Sequence, residues 1–189
     1  MAETGFSQFK LRQALLTLEA GGIIAYPTEA IYGIGCDPED DDALLEMLWL
    51  KQRPPEKGLI LIAADFNQLQ DYIEPLPVDV LTKVLDSWPG ANTWLVPVKP
   101  DVSPLLTGGR QTLAVRVTDH PIAAELWRQF GGPLVSTSAN RSGKPALTDR
   151  LQVALKLGAE LDGIAPGKTF PGAQPSQIRD LLTGELFRA

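Results

Sequence analysis

GLILIAA, Gly58 to Ala64, is the stretch on which the fold turns. It is far too short to cross a membrane, and no polar residue alternates with the apolar ones. It therefore reads as a strand covered on both faces, and such a strand needs helices above and below it. The flanking sequence supplies them. Upstream, Ser7 is placed to cap a helix in which Leu11, Leu15 and Leu18 recur at helical spacing, Gly21-Gly22 ends it, and strand GIIAYP follows. Asp40 to Asp42 then open a second helix through Leu44, Leu48 and Lys51. Downstream, Val78 to Leu85 reads as helix, SWPG as a turn, NTWLVPV and TLAVRV as strands, and Pro121 to Phe130 as a helix with proline at an early position. PLVSTS is a strand, Asp149 to Leu157 a helix, and QIRDLL-TGE-LFRA a terminal hairpin. Strands and helices alternate with few short hairpins. The predicted class is α/β, a three-layer single domain over residues 1–189 with a sheet that mixes parallel and antiparallel pairs.

Composition narrows the function. The 44% hydrophobic content is enough for a sizeable core, and the 16 prolines and 17 glycines lie scattered between apolar runs, so they read as turns. The opening MAETGFSQFKLRQALL has no apolar h-region and no eighteen apolar residues run together, so a soluble, cytoplasmic protein without membrane association is expected. One cysteine, Cys36, excludes an internal disulfide and a thiolate cluster, and one histidine, His120, excludes a multi-histidine zinc site. These two read as small packing and as a residue opening a helix. The formal charge of −6 opposes non-specific adhesion to nucleic acid but leaves room for a local basic pocket. The tryptophans, at positions 49, 88, 94 and 127, read as core.

Familiar nucleotide motifs fail. SGKP at Ser142 to Pro145 misses the Walker pattern at both ends, and Gly33-Ile34-Gly35 lacks the third glycine of the dinucleotide fingerprint. His-Glu-x-x-His and Gly-x-Ser-x-Gly are absent. What remains is a set of polar residues at element ends. Lys51 and Arg53 close a helix just ahead of Lys57; in isolation such cations read as a solvated helix end. Ser136, Thr137, Ser138 and Asn140 crowd the end of a buried strand, where hydroxyls and an amide need partners. Ligands of α/β sheets sit beyond the carboxyl ends of strands, and donors of this kind beside Lys and Arg suit a polyphosphate. Arg116, inside apolar TLAVRV, must reach water, a carboxylate or an anionic ligand, and Thr112 shares its face.

YPTEAIYGIGCD, KQRPPEKGLILI, SWPG, LAVRVTDHP, STSANRSGKP and PSQIRDLLTGE, in this order, closely resemble the YrdC family, the threonylcarbamoyl-AMP synthases, in their short bacterial form. The resemblance covers about Gly22 to Arg188. It implies a twisted mixed sheet around a deep basic cavity, and a nucleotidyltransferase that joins L-threonine, bicarbonate or CO2, and ATP into threonylcarbamoyl-adenylate and pyrophosphate. Downstream transfer proteins would then carry the threonylcarbamoyl group to the adenosine beside the tRNA anticodon; direct contact with tRNA is left open.

By that resemblance Lys51, Arg53, Ser138 and Asn140 would hold the ATP phosphates, Lys57, Thr112 and Arg188 would make further ATP contacts, and Thr28, Arg116 and Ser176 would hold threonine. Gly33 and Gly35 would let backbone approach the ligand. Mg2+ would come with the ATP phosphates, with no protein ligand assigned to it and no side-chain nucleophile needed. Two positions depart from the family pattern: Ala91 replaces a proline after WPG, and Ile62 stands where longer relatives often carry histidine. The rival reading is a non-catalytic RNA-binding module of tRNA or rRNA maturation, which the acidic balance opposes. A phosphosugar lyase would need more carboxylates than Glu29 and Asp37.

Overall fold

The structure is a computed structural model that describes residues 2–188, with side chains described for residues 8–187. In chain order the elements are α1 (Ala2–Glu19), β1 (Ile24–Pro27), β2 (Tyr32–Gly35), α2 (Asp41–Lys51), β3 (Ile60–Ala63), α3 (Val78–Asp86), β4 (Asn92–Pro97), α4 (Pro104–Thr107), β5 (Thr112–Val117), α5 (Pro121–Phe130), β6 (Leu134–Ser138), α6 (Arg150–Leu157), β7 (Gly163–Ile164), β8 (Gln177–Asp180) and β9 (Leu186–Arg188). Among the described residues one sheet contains all these strands, in the order β7-β1-β2-β6-β3-β5-β4-β8-β9. The apolar run around Leu61 thus forms the middle strand. Pairs β1/β7, β3/β5 and β4/β8 are parallel and the other five antiparallel, so the mixed α/β class holds.

Strand alternation divides the side chains between two faces. On the first face, Leu61 and Ala63 of β3, Leu113, Val115 and Val117 of β5, and Trp94 and Val96 of β4 pack with Leu44, Met47 and Leu48 of α2, Val84 of α3 and Val153 of α6. Each such buried aliphatic side chain contributes roughly 1.5–3 kcal/mol. On the second face, Leu11, Ala14 and Leu18 of α1 and Ala123, Ala124, Leu126 and Trp127 of α5 pack with Ile24, Tyr26, Ile62, Ala64, Leu134 and Ala165, and Ile60 is partly buried against them. Beyond them the second face has no helix packed on it in this cluster. That gap becomes the cavity.

The structure corrects two expectations and adds a strand beside β1. Helix α1 already includes Ala2, so Ser7 lies within it and does not start it. Tyr32–Gly35 is a strand, joined to β1 by a short turn in which Thr28 N–H and Oγ1 both donate to Ile31 O, at 2.9 and 2.7 Å. Trp127 and Trp94 are buried, but Trp49 is 76% exposed, on the side of α2 away from Met47 and Leu48. Elsewhere the local chemistry acts as read: the Asp40 side chain caps α2 through Ala43 N–H, and the Asp149 side chain caps α6. No helix among the described residues is long and apolar enough to cross a membrane.

Candidate active site

The cavity has a volume of about 540 Å3, within the ~300–1,000 Å3 usual for small-ligand sites. Its floor is one cross-strand row. Ser136 pairs with Ile60, Ile60 with Ala114, Ala114 with Leu95 and Leu95 with Asp180, and all five residues line the cavity. The site therefore lies on the sheet face, whereas the sequence had suggested a position beyond the carboxyl ends of strands. The β6 tip, Thr137 and Ser138, and Thr28 just past β1 fit that rule. Walls come from the β1–β2 turn (Thr28, Ile31), the turn after α2 (Arg53 to Gly58), the α4–β5 connection (Thr107, Arg110) and the approach to β8 (Pro175, Ser176).

Of the sequence-predicted residues, Thr28, Arg53, Lys57, Thr112, Arg116, Ser138 and Ser176 line this one cavity. Lys51 and Asn140 stand behind its wall. Lys51 is 2% exposed, and its Nζ donates to the Asn140 Oδ1 at 2.7 Å, to the Ser138 Oγ at 3.4 Å and to the carbonyls of both residues. Ser138 Oγ donates to Asn140 Oδ1 at 2.6 Å, and Asn140 Nδ2 to the Lys144 carbonyl. The helix C-terminus and the strand tip are thus tied into one knot, with the ammonium at its centre. Burial, and then the neighbouring charge of Arg53, push that ammonium down to about 8. The Arg188 side chain lies outside the described residues.

Gln52, in the left-handed region at φ 50°, turns the chain between Lys51 and Arg53. Arg53 Nε donates to Gly58 O at 3.0 Å and its Nη2 to Lys57 O at 3.1 Å. Arg110, which the sequence reading missed, grips the same turn from the other side: Nη1 donates to Glu56 O at 2.7 Å and Nη2 to Lys57 O at 3.0 Å. Gly58 has φ 58°, and a Cβ there would stand 2.6 Å from Arg110 Nη2, so only glycine lets the guanidinium close on the turn. The signal for Arg110 was parity, since it precedes Thr112 and Arg116 by two and six residues.

Arg116 faces two ways. It lines the cavity, but its Nη2 lies 2.5 Å from Glu29 Oε2 and its Nε donates to Gly90 O at 2.8 Å, so the carboxylate partner weighed from sequence is present. Burial alone would raise the Glu29 carboxyl. The Arg116 charge, with donors from Asp119 N–H (2.7 Å) and the Thr118 hydroxyl (2.9 Å), outweighs it and holds the carboxyl below its usual range. Thr93, of the same WPGANT block as Gly90, donates to Ser176 Oγ at 2.9 Å. The block thereby fixes two predicted threonine contacts, with Ala91 in the proline position.

The glycines of β2 need correction. A Cβ on Gly35 would lie 2.1 Å from Val135 O and 2.9 Å from the Tyr26 hydroxyl; Gly35 makes room for the neighbouring strand and a buried ring, and does not line the cavity. Gly33 does line it, and a Cβ there would meet the Tyr26 ring at 3.0 Å. Cys36 is buried, and burial pushes its thiol up, as expected of a packing residue.

Arg53, Lys57, Arg110 and Arg116 stand around the cavity against the carboxylates of Glu56 and Asp180. In a chain of formal charge −6, that local inversion of sign would favour an anionic ligand over a cationic one. A family model named Sua5_yciO_yrdC, described as telomere recombination, matches residues 16–189. This chain belongs to the Sua5/YciO/YrdC family. Among its relatives, the threonylcarbamoyl-AMP synthase of Alkalilimnicola ehrlichii is 50% identical over 185 residues, covering 96% of each chain. That of Stenotrophomonas maltophilia is 50% identical over 184 residues, covering 96% of this chain and 99% of the relative. Among solved structures, P. abyssi Sua5 complexed with L-threonine superposes with a TM-score of 0.85 at 32% identity. The match covers 91% of this chain and 51% of that one, so the chain spans about half the length of that family member.

Proposed function

We propose that this family member is a threonylcarbamoyl-AMP synthase, which forms threonylcarbamoyl-adenylate and pyrophosphate from L-threonine, CO2 or bicarbonate, and ATP. The observation that carries the reading is the cationic, hydroxyl-rimmed cavity, with the Lys51–Ser138–Asn140 knot at one end and the Glu29–Arg116 pair at the other. ATP enters as its Mg2+ complex.

The phosphates lie toward Arg53, Lys57 and the Ser138 hydroxyl, with Arg110 adding charge and Lys51 and Asn140 holding the β6 tip in place. Threonine lies toward Thr28, Arg116 and Ser176. Its amine adds to CO2, forming a C–N bond and losing a proton; a carbamate oxygen then attacks the α-phosphorus in line and the bond to pyrophosphate breaks. Carbamates decompose in water, so the cavity contributes by excluding solvent and by holding the reactants adjacent, an effect worth roughly 7–11 kcal/mol in good cases. The cations stabilise charge on the departing pyrophosphate. The product serves a cytoplasmic transfer system that delivers the threonylcarbamoyl group to tRNA. Pyrophosphate release is the test, with ATP, bicarbonate and each amino acid supplied in turn. Dependence on threonine is expected, and tight RNA binding without pyrophosphate release would favour the RNA-binding module.

A further inference from the structure

His120 is 2% exposed and lines no part of the cavity, yet its contacts lead to the amino-acid end from two directions. Its Nδ1 accepts the Ala123 N–H at 3.4 Å and caps α5, so the ring proton resides on Nε2, which donates to the Lys168 carbonyl at 2.9 Å. The ring stacks on Phe170, with centroids 5.0 Å apart and planes at 24°. Both contacts hold one segment, the strap from Lys168 to Ser176 that leads into β8. Phe170 N–H in turn donates to Glu29 O at 2.6 Å, and the strap ends with Pro175 and Ser176 in the cavity wall. The second direction runs through the backbone: His120 N–H donates to Thr118 Oγ1 at 3.1 Å, Thr118 Oγ1 donates to Glu29 Oε1 at 2.9 Å, and Glu29 Oε2 faces Arg116.

We propose that His120 is a positioning residue for threonine, which fixes the strap and the Glu29–Arg116 pair in one arrangement so that Ser176 and Arg116 face the cavity together before substrate arrives. The proposal rests on the synthase reading of this site. It makes the two ends of the cavity separable, because the phosphate end is built from the α2 terminus, the following turn and the β6 tip, none of which His120 touches in the contacts described.

The test is His120→Asn. Asparagine is among the best N-caps, so its Oδ1 keeps the Ala123 bond while the shorter side chain reaches neither Lys168 nor the Phe170 ring. The threonine KM should rise about tenfold, from the loss of one hydrogen bond and one ring contact, and the ATP KM should stay within about twofold. Amide exchange at Phe170 should quicken. Phe170→Ala, which leaves the cap untouched, should shift the threonine KM in the same direction. An unchanged threonine KM in both variants, or equal rises in both KM values, would overturn the role of His120. A wild-type protein with no threonine-dependent pyrophosphate release would sink the synthase reading itself, and with it the substrate named here.

Discussion

Replacing Glu29 by glutamine tests the amino-acid wall of the cavity. The amide keeps an oxygen for the Thr118 hydroxyl and the Asp119 N–H but sets an uncharged group against the Arg116 guanidinium, which lies 2.5 Å from the carboxylate in the native protein. Both side chains are buried, with only 7% of Arg116 and 8% of Glu29 exposed, so solvent cannot compensate the orphaned charge fully. Breaking such a pair from one side costs about 3–5 kcal/mol. For a domain of this size each kcal/mol shifts Tm by roughly 2–4 °C, so a fall of roughly 6–20 °C is expected. Arg116→Met should sit at the lower end, because Thr118 and Asp119 still donate to the stranded carboxylate. The double variant should be more stable than the sum of the single losses by over ~1 kcal/mol, since neither charge is then left alone. Thermal unfolding with calorimetry measures all three, and pH adds an independent check. A carboxyl held below its usual range contributes stability above the unfolded-state value, and that stability is lost as pH falls through the folded value; Glu29→Gln should flatten this acid limb. A Tm shift under about 2 °C in Glu29→Gln, with strictly additive single effects, would refute the pair as a structural element.

Three further outcomes follow from the geometry. Lys51→Met strips the donor from the Asn140 and Ser138 oxygens, so it should lower stability by about 2–4 kcal/mol as well as weakening ATP binding, whereas Arg53→Ala should raise the ATP KM about tenfold with under ~1 kcal/mol lost. Because the Lys51 ammonium deprotonates near 8, ATP affinity measured by calorimetry should fall as pH rises through that value, by at most about tenfold per unit, and the slope should vanish in Lys51→Met. Gly35→Ala would drive a methyl into the Val135 carbonyl and should destabilise by roughly 1–3 kcal/mol in urea unfolding, without a selective effect on either substrate.

The elements that the sequence discloses are those whose periodicity is strong. GLILIAA, TLAVRV and PLVSTS have the continuous or alternating apolar pattern of their strands, and α5 opens on Pro121 as its first turn allows. β2 was hidden because Tyr-Gly-Ile-Gly has weak strand propensity; pairing with β1 and β6 makes it a strand. Lys51 shows a different limit. Its nearness to Ser138 and Asn140 was readable as a shared site, but the inward aim of the ammonium depends on where Gln52 reverses the chain. Arg110 could have been found by extending the parity of Thr112 and Arg116 back by one step, and Trp49 by noticing that it shares a helical stripe with exposed Leu45. The Glu29 partner of Arg116 was named only as a class, since 87 residues of chain separate the two.

The alternation along β5 divides its residues between two tasks, with one residue serving both. Leu113, Val115 and Val117 belong to the packed core, while Thr112, Ala114 and Arg116 in between line the cavity. Changes at Thr112 or Ala114 can therefore reshape the cavity without touching the packed face, whereas a change at Arg116 also unties Glu29 and is felt by the whole molecule.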